Sequence, residues 1–146
     1  MRKFLLFAAF ALCIAAAPLA AQSNRIIDEI LAEGELSAES AAYLLLSVSG
    51  DGPEPASRGE ALEKIKDRFS GIGGTVSTGE YAFLLQNALG LPRGFFSTLF
   101  PGPRYSFRDL KFLQIIQERS HPDTPLSGER ALRILGRALA EKEDRS

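Results

Sequence analysis

Cysteine, tryptophan and histidine are almost missing from this 146-residue chain, which has one Cys, no Trp and one His. The single cysteine, Cys13, lies in an apolar N-terminal run, so the rest of the chain offers no thiol for a disulfide, a nucleophile or a metal ligand. His121 alone does not make a histidine metal cluster. We therefore predict no metal, no cofactor and a fold held together by its apolar core.

The chain also lacks a basic excess, because 17 Lys and Arg stand against 18 Asp and Glu. Residues 1–21 contain two of the basic residues and no acidic one, so the remainder has 15 basic residues against 18 acidic ones. Domains that bind nucleic acid usually carry a basic surplus. We expect no nucleic-acid partner.

Residues 1–21 have the pattern of a secretory signal peptide. Two basic residues precede an uninterrupted apolar run from Phe4 to Ala17, and small residues follow, with a cleavage point after Ala21. The run is shorter than the roughly 20 apolar residues that cross a bilayer, which disfavours a retained membrane anchor. We predict a periplasmic or secreted bacterial protein with no stable membrane span after cleavage.

A short signature occurs three times in residues 22–146. It consists of Ser or Thr, then Gly or Ala, then Glu, in Ser37-Ala38-Glu39, Thr78-Gly79-Glu80 and Ser127-Gly128-Glu129. Apolar residues at helical spacing follow each copy, so each predicts the start of a helix with an acid in its first turn. We predict a single helical domain over 22–146, with degenerate repeats at about 36–48, 76–90 and 126–140 and a frayed charged tail.

Capping pairs predict where further helices start. Ser57 with Glu60 and Ser77 with Glu80 have capping-box spacing, and Ser106 with Asp109 forms a third pair of this type, opening a helix that runs to about Glu118. No segment sustains the alternation of a strand. The predicted fold is all-α, with about six or seven short helices that cross one another.

Part of the chain resembles an S-layer homology module, which runs from a Phe-x-Asp element through a helix and a loop to a Thr-Arg-Ala-Glu helix start. The matching elements are Phe107-Arg108-Asp109-Leu110, Ile115-Ile116-Gln117, Pro122-Asp123 and the stretch from Leu126 to Leu135, and the stretch from Val76 to Leu89 resembles the second helix of a preceding module. The resemblance implies a small helical fold in a repeat arrangement. It also implies attachment to a cell-envelope polymer, often a secondary wall polysaccharide.

The family's arginine beside the threonine is its usual contact with an anionic saccharide, and this chain departs from the pattern at that position. Ala38, Gly79 and Gly128 stand there in the three signature copies. Only Ser57-Arg58-Gly59-Glu60 keeps the arginine. Arg58 is therefore a predicted, outlying ligand residue.

The strongest candidate for a functional surface is the segment from Leu91 to Arg108. Arginines alternate there with aromatic residues, and glycines and prolines restrict the backbone. Guanidinium groups bind carboxylates or phosphates, and flat rings stack on sugars. The predicted ligand-binding residues are Arg104, Tyr105, Arg108, Arg93 and Arg58. In one alternative the aromatic residues turn inward and cap the core; in another, Phe96 and Phe100 are buried while Arg104 and Tyr105 are exposed.

No arrangement of residues predicts catalysis. His121, Asp123 and Ser127 lie close in sequence, but Ser127 is better explained as a helix cap, and the chain has no Gly-x-Ser-x-Gly elbow. We predict an exported, non-enzymatic module for envelope attachment or protein interaction, which recognises an acidic envelope glycan or a periplasmic partner. The alternatives are an envelope glycan-cleaving enzyme that uses two carboxylates, and a structural accessory subunit of a larger periplasmic assembly, which an exposed apolar patch would indicate.

Overall fold

The computed structural model describes residues 22–50, 52–117 and 119–146. Over these ranges the chain forms seven α-helices and one 3₁₀ turn, and its only extended pairings are two isolated β-bridges. The predicted all-α class is confirmed. The predicted signal peptide, residues 1–21, lies outside the described residues.

The helices follow one another with short connections. They are α1 (residues 22–31), α2 (Ala38–Ser49), α3 (Arg58–Ile65), α4 (Thr78–Leu89), α5 (Phe95–Leu99), α6 (Pro103–Phe112) and α7 (Gly128–Asp144), with the 3₁₀ turn Lys66–Phe69 directly after α3. None of the helices within these ranges is long and apolar enough to cross a bilayer.

Serine hydroxyls cap four of the helices. Ser37, Ser57, Ser77 and Ser127 each accept a hydrogen bond from the backbone N–H three residues later. The capping box at Ser77 is complete, because the Glu80 carboxylate also accepts from the Ser77 N–H. In the middle signature the cap is therefore Ser77, one residue before the Thr78 that the signature suggests.

The residues that precede the three signature helices meet at the centre of the fold. Leu36, Val76 and Leu126 each come directly before a capping serine, and all three are buried. The Leu36 N–H donates to the Leu126 carbonyl, and the Val76 N–H donates to the Leu36 carbonyl. Three segments far apart in sequence are thus joined backbone to backbone.

The first turns of the same three helices close a cycle of hydrogen bonds. Each first N–H donates to a carbonyl in the loop that precedes the next signature, at 2.9–3.0 Å: Ala38 to Gly74, Thr78 to Thr124, and Gly128 to Glu33. Backbone donors that a helix leaves unsatisfied at its start are satisfied in this way. We call the three segments that make these bonds, residues 33–38, 74–78 and 124–128, the signature ring.

The signature ring leaves little space at its glycines. A Cβ atom on Gly128 would lie 1.7 Å from the Ile30 carbonyl oxygen, and one on Gly79 would lie 2.8 Å from the Pro122 Cβ. The small residue of the signature is therefore required by close backbone approach. A longer side chain at Gly128 does not fit.

Helix α4 occupies the middle of the apolar core. It packs most extensively against α6 and also contacts α2 and α7. Tyr81 and Leu85 on α4 are fully buried. The Tyr81 hydroxyl donates to the Ala131 carbonyl on α7, and burial raises the pKa of this phenol.

The prediction for the helix around Ser106 was wrong at both ends. Pro103 occupies the first turn of α6, where its missing N–H costs nothing, so Ser106 lies inside the helix and caps nothing. The helix ends at Phe112, not near Glu118, because Gln114 adopts a left-handed conformation with φ of 60°. At the other end of the chain, α7 continues through Asp144, into the tail predicted to fray.

Candidate functional site

The loop that leads into α5 is fastened to α4. Gly90 ends α4 in a left-handed conformation, and the next residue, Leu91, is buried. The buried Gln86 side chain donates to the Pro92 carbonyl at 2.8 Å and to the Asp109 carboxylate at 3.1 Å. The segment predicted to carry function is therefore held in one conformation at its start.

Asp109 on α6 fixes the start of α5. Helix α5 has no capping side chain of its own, and the Asp109 Oδ2 atom instead accepts from the Gly94 N–H at 2.9 Å and from the Ser97 hydroxyl. Burial alone raises the pKa of the Asp109 carboxyl. The hydrogen bonds from Ser97, Gly94 and Gln86, together with the charge of Arg108, outweigh that effect and lower the pKa below its ordinary value.

Helix α5 is amphipathic in the inverse sense. Its one buried residue is the polar Ser97, whereas its apolar side chains face outward. The exposed fractions are 73 % for Phe95, 52 % for Phe96, 55 % for Leu99 and 60 % for Phe100. A soluble helix normally buries its apolar face, whereas these four side chains of α5 remain more than half exposed.

Ring contacts join these side chains to α6. The Phe96 and Tyr105 rings are stacked with centroids 6.2 Å apart, Phe100 lies 6.4 Å from Tyr105, and Phe95 meets Phe96 edge to face. We call Phe95, Phe96, Leu99, Phe100 and Tyr105 the aromatic patch. Both alternatives are wrong for Phe96 and Phe100, because Asp109 draws Ser97 inward and turns these rings outward. Phe107 is nevertheless buried, as the first alternative expects, and Arg104 is exposed, as the second expects.

A second surface lies along a neighbouring face of α6. Arg104, Arg108 and Lys111 follow one another at four- and three-residue spacing, which places them on one helix face. Together with Phe107, His121 and Pro122 they line a cavity of about 300 Å³, which we call the basic groove. Lys111 Nζ lies 5.7 Å from the centre of the Phe107 ring, within cation–π range.

The charges of the basic groove are mostly uncompensated. Within the described part of the chain, no hydrogen bond or ion pair occupies Arg104 or Arg108. Two acidic groups lie near the groove: Asp123, whose Oδ2 atom lies 3.2 Å from His121 Nδ1, and Asp109, whose carboxylate interacts with the charge of Arg108. An anion entering the groove would meet two exposed guanidinium groups and one ammonium group.

The structure divides the predicted ligand residues among three places. Arg104 and Arg108 lie together in the basic groove, whereas Tyr105, between them in sequence, belongs to the aromatic patch. Arg93 is exposed two residues before the patch, and its guanidinium donates to the Asn87 side chain. Arg58 lies outside both surfaces.

Arg58, the first residue of α3, links this helix to α1 and α2. Its guanidinium donates to Glu33 at 2.7 Å and to Glu29 at 3.1 Å, and also to the Ser40 hydroxyl. The Glu33 carboxylate accepts in addition from the Ser37 N–H at the cap of α2. With its hydrogen-bonding capacity committed in this way, Arg58 fits a structural role, and we do not include it in the proposed site.

Two residues of the basic groove were missed by the sequence reasoning. Lys111 continues the spacing that begins at Arg104, and this signal was hidden by the wrong start expected for α6. His121 was weighed only as a metal ligand or a base, and its loop meets α6 only in the folded chain. No sequence pattern links residue 121 to residue 104.

Three other cavities in the described part of the chain are larger than the basic groove, and one of them, of about 580 Å³, is lined by residues that include Leu62 and Ile72. Another, of about 660 Å³, lies beside α2 and α4 and contains Asp67 and Arg68, while the third, of about 380 Å³, is lined by Arg58 with Glu29 and Glu39. In the third, Glu29 is paired with Arg58 and Arg25. Within the described ranges, no group of three or more His, Cys, Asp or Glu side chains is placed to hold a metal ion.

Comparisons of the chain with protein-family models, with curated proteins and with solved structures give no match. The resemblance to S-layer homology modules therefore stays a prediction.

Proposed function

We propose that this protein is an exported, non-enzymatic attachment module that binds an acidic polymer of the bacterial cell envelope in the basic groove. The observation that carries the proposal is the row of Arg104, Arg108 and Lys111 on one face of α6, with His121 opposite. Guanidinium groups bind carboxylates and phosphates through paired, charge-assisted hydrogen bonds. A polymer with regularly spaced acidic groups matches a row of cations spaced about one helical turn apart.

The rest of the fold supports an attachment role. The signature ring ties three helix starts into one rigid body, and α6 packs on the central helix of that body. A binding face on a rigid element loses little conformational freedom when it meets its ligand. The ring of three related segments also agrees with a repeat origin, as the resemblance to S-layer homology modules implies.

The test is binding to a polymer of known charge. The protein is titrated with polygalacturonate, which carries one carboxylate per sugar, and with uncharged dextran as the control polymer. We expect binding to polygalacturonate alone, weakening as salt is added, because salt screens exposed charges. Arg104→Gln with Arg108→Gln should weaken binding at least tenfold, or about 1.4 kcal/mol.

A matched variant separates local from overall charge. Arg25→Gln with Lys64→Gln removes two cations from α1 and α3, outside the basic groove. Both double variants have the same net charge, so equal losses of affinity would show that the groove has no special role. Binding to dextran as strong as to polygalacturonate would also contradict the proposal. Thermal unfolding of each variant shows that the fold is intact.

A further inference from the structure

The aromatic patch lies in an unusual part of the sequence. Between Glu80 and Asp109 the chain has no acidic residue, although acidic residues outnumber basic ones in residues 22–146 as a whole. The same interval contains Arg93, Arg104 and Arg108. The exposed rings therefore lie in a stretch of the sequence that has a net positive charge.

The size of the patch exceeds what scattered surface residues give. A phenylalanine side chain buries ~150–250 Å² when it is fully covered, so the exposed parts of three rings and Leu99 amount to on the order of 400 Å². Monomers rarely expose contiguous apolar patches larger than a few hundred Å², and the largest such patch on a monomer is often functional.

Asp109 presents the patch on a fixed support. Its carboxylate holds both the Gly94 N–H and the Ser97 hydroxyl, and Thr98 also donates its hydroxyl to the Gly94 carbonyl. The rings thus project from an ordered helix whose polar side is satisfied internally. Contacts among the rings and with Tyr105 cover them only in part, and Phe95, Phe96 and Phe100 remain more than half exposed to water.

We propose that the aromatic patch is a membrane-contact site, where Phe95, Phe96, Leu99 and Phe100 insert into the interface of an anionic lipid bilayer. Phenylalanine and leucine flanked by arginine form the composition that enters the boundary between headgroups and acyl chains. Arg93 and Arg104 lie at the two ends of the patch in sequence, where their guanidinium groups reach lipid phosphates. Charge complementarity favours anionic lipid over a second copy of this chain, because an isologous pair would bring these arginines together.

This site shares Arg104 with the basic groove but otherwise uses different residues, and it does not depend on the polysaccharide proposal. The patch is formed by α5 and the Tyr105 side of α6, whereas the groove is lined by the neighbouring face of α6 and the loop at His121. A chain that contacts lipid with one surface and an acidic polymer with the other would connect a membrane with the polymer that covers it. Variants in Phe95 and Phe100 address the first surface alone.

The experiment measures co-sedimentation of the purified chain with two kinds of vesicle: equal parts phosphatidylglycerol and phosphatidylcholine, or phosphatidylcholine alone. The N-terminal apolar run is the same in every variant, so differences between variants report on the patch. We expect Phe95→Ser with Phe100→Ser to reduce partitioning onto the anionic vesicles at least tenfold. Arg93→Gln should reduce it about fivefold, which corresponds to one basic residue at an anionic surface.

The control is Leu31→Ser, which removes an exposed apolar side chain from α1 and should leave partitioning unchanged. Polygalacturonate binding should be the same in the Phe95→Ser, Phe100→Ser variant and in the unaltered chain. The substituted rings are exposed, so circular dichroism should show an unchanged fold.

Several results would overturn the proposal. One is equal partitioning of the double variant and the unaltered chain, and another is equal partitioning onto neutral and anionic vesicles. A third is that the unaltered chain binds no vesicles and forms a dimer that the Phe95→Ser, Phe100→Ser substitutions dissociate. If the unaltered chain bound an envelope protein but no vesicles, and the Phe95→Ser, Phe100→Ser variant lost that protein, the patch would be assigned to a protein partner instead.

Discussion

The signature ring and the surface of α5 and α6 contain the same kinds of residue in opposite arrangements. In the ring, apolar residues are buried, serines cap helices and glycines allow backbones to touch. In α5 the serine is buried and the phenylalanines are exposed, and the glycine at its start is covered by a carboxylate from another helix. The first region is explained by stability alone.

The second region is not explained in that way. Uncovered apolar surface costs free energy in water, and Arg104 makes no hydrogen bond or ion pair within the described part of the chain. A feature that folding does not require is a candidate for function. The contrast locates function on α5 and α6, and substitutions in each region test whether the division holds.

The largest effect is expected in the signature ring. Gly128→Ala places a methyl group against the Ile30 carbonyl and separates the Gly128 N–H from the Glu33 carbonyl. We expect a loss of roughly 3 kcal/mol in the free energy of unfolding, from overpacking and one lost hydrogen bond. Urea unfolding followed by circular dichroism measures it.

The matched control lies in the same helix. A Cβ atom on Gly136 meets nothing within 4 Å, so Gly136→Ala should stabilise the protein by about 0.5–1 kcal/mol, as alanine does in a helix interior. If both substitutions shifted the urea midpoint in the same direction, close approach at Gly128 would not be what the signature encodes. The ring would then lose its explanation.

A smaller and local effect is expected at Asp109. Its pKa is lowered in the folded state, so its contribution is fully present above the unfolded value of about 3.9 and is lost as the pH falls through the lower folded value. Asp109→Asn should cost about 1–2 kcal/mol at neutral pH, because the hydrogen bonds to Gly94 and Ser97 lose their charged acceptor. The patch should loosen while the ring stays intact.

Amide hydrogen exchange distinguishes the two regions. The Thr98 and Phe100 amides donate hydrogen bonds within α5 and its N-cap. In Asp109→Asn they should lose protection from exchange at neutral pH, whereas in the unaltered chain they should lose it only at acid pH, where Asp109 is protonated. The Ala38 and Gly128 amides report on the signature ring and should not change. Faster exchange at all four positions would mean that the two regions unfold as one unit.

Much of the fold could be predicted because its determinants are local. A serine cap followed by apolar residues at helical spacing places the starts of α2, α3, α4 and α7 within a residue or so. The ring itself could not be predicted, since its bonds join carbonyls and amides that lie 36 to 95 residues apart, and backbone groups carry no sequence code for such pairings.

Only part of the site could be predicted, because some of its contacts join residues that are far apart in sequence. Arginines and aromatic residues in one segment pointed to Arg104 and Arg108, but which way the rings face depends on Asp109, which sequence reasoning took for a helix cap. The mistake came from reading Ser106 and Asp109 as a local pair. The carboxylate instead reaches 15 residues back to Gly94, and a contact at that range has no periodic signal.

The smallest expected effect concerns the end of α6, where the predicted helix ran too far. Gln114 holds a φ of 60°, which glycine adopts without strain and glutamine does not. Gln114→Gly should therefore stabilise the chain by about 0.5 kcal/mol, since the relief of strain is partly offset by a more flexible unfolded chain. Gln114→Ala keeps the Cβ atom and should give no gain. Thermal unfolding of the two variants compares them directly. Equal midpoints would mean that the turn after α6 stores no strain. The end of α6 would then be explained by the burial of Ile115 and Ile116 in the core.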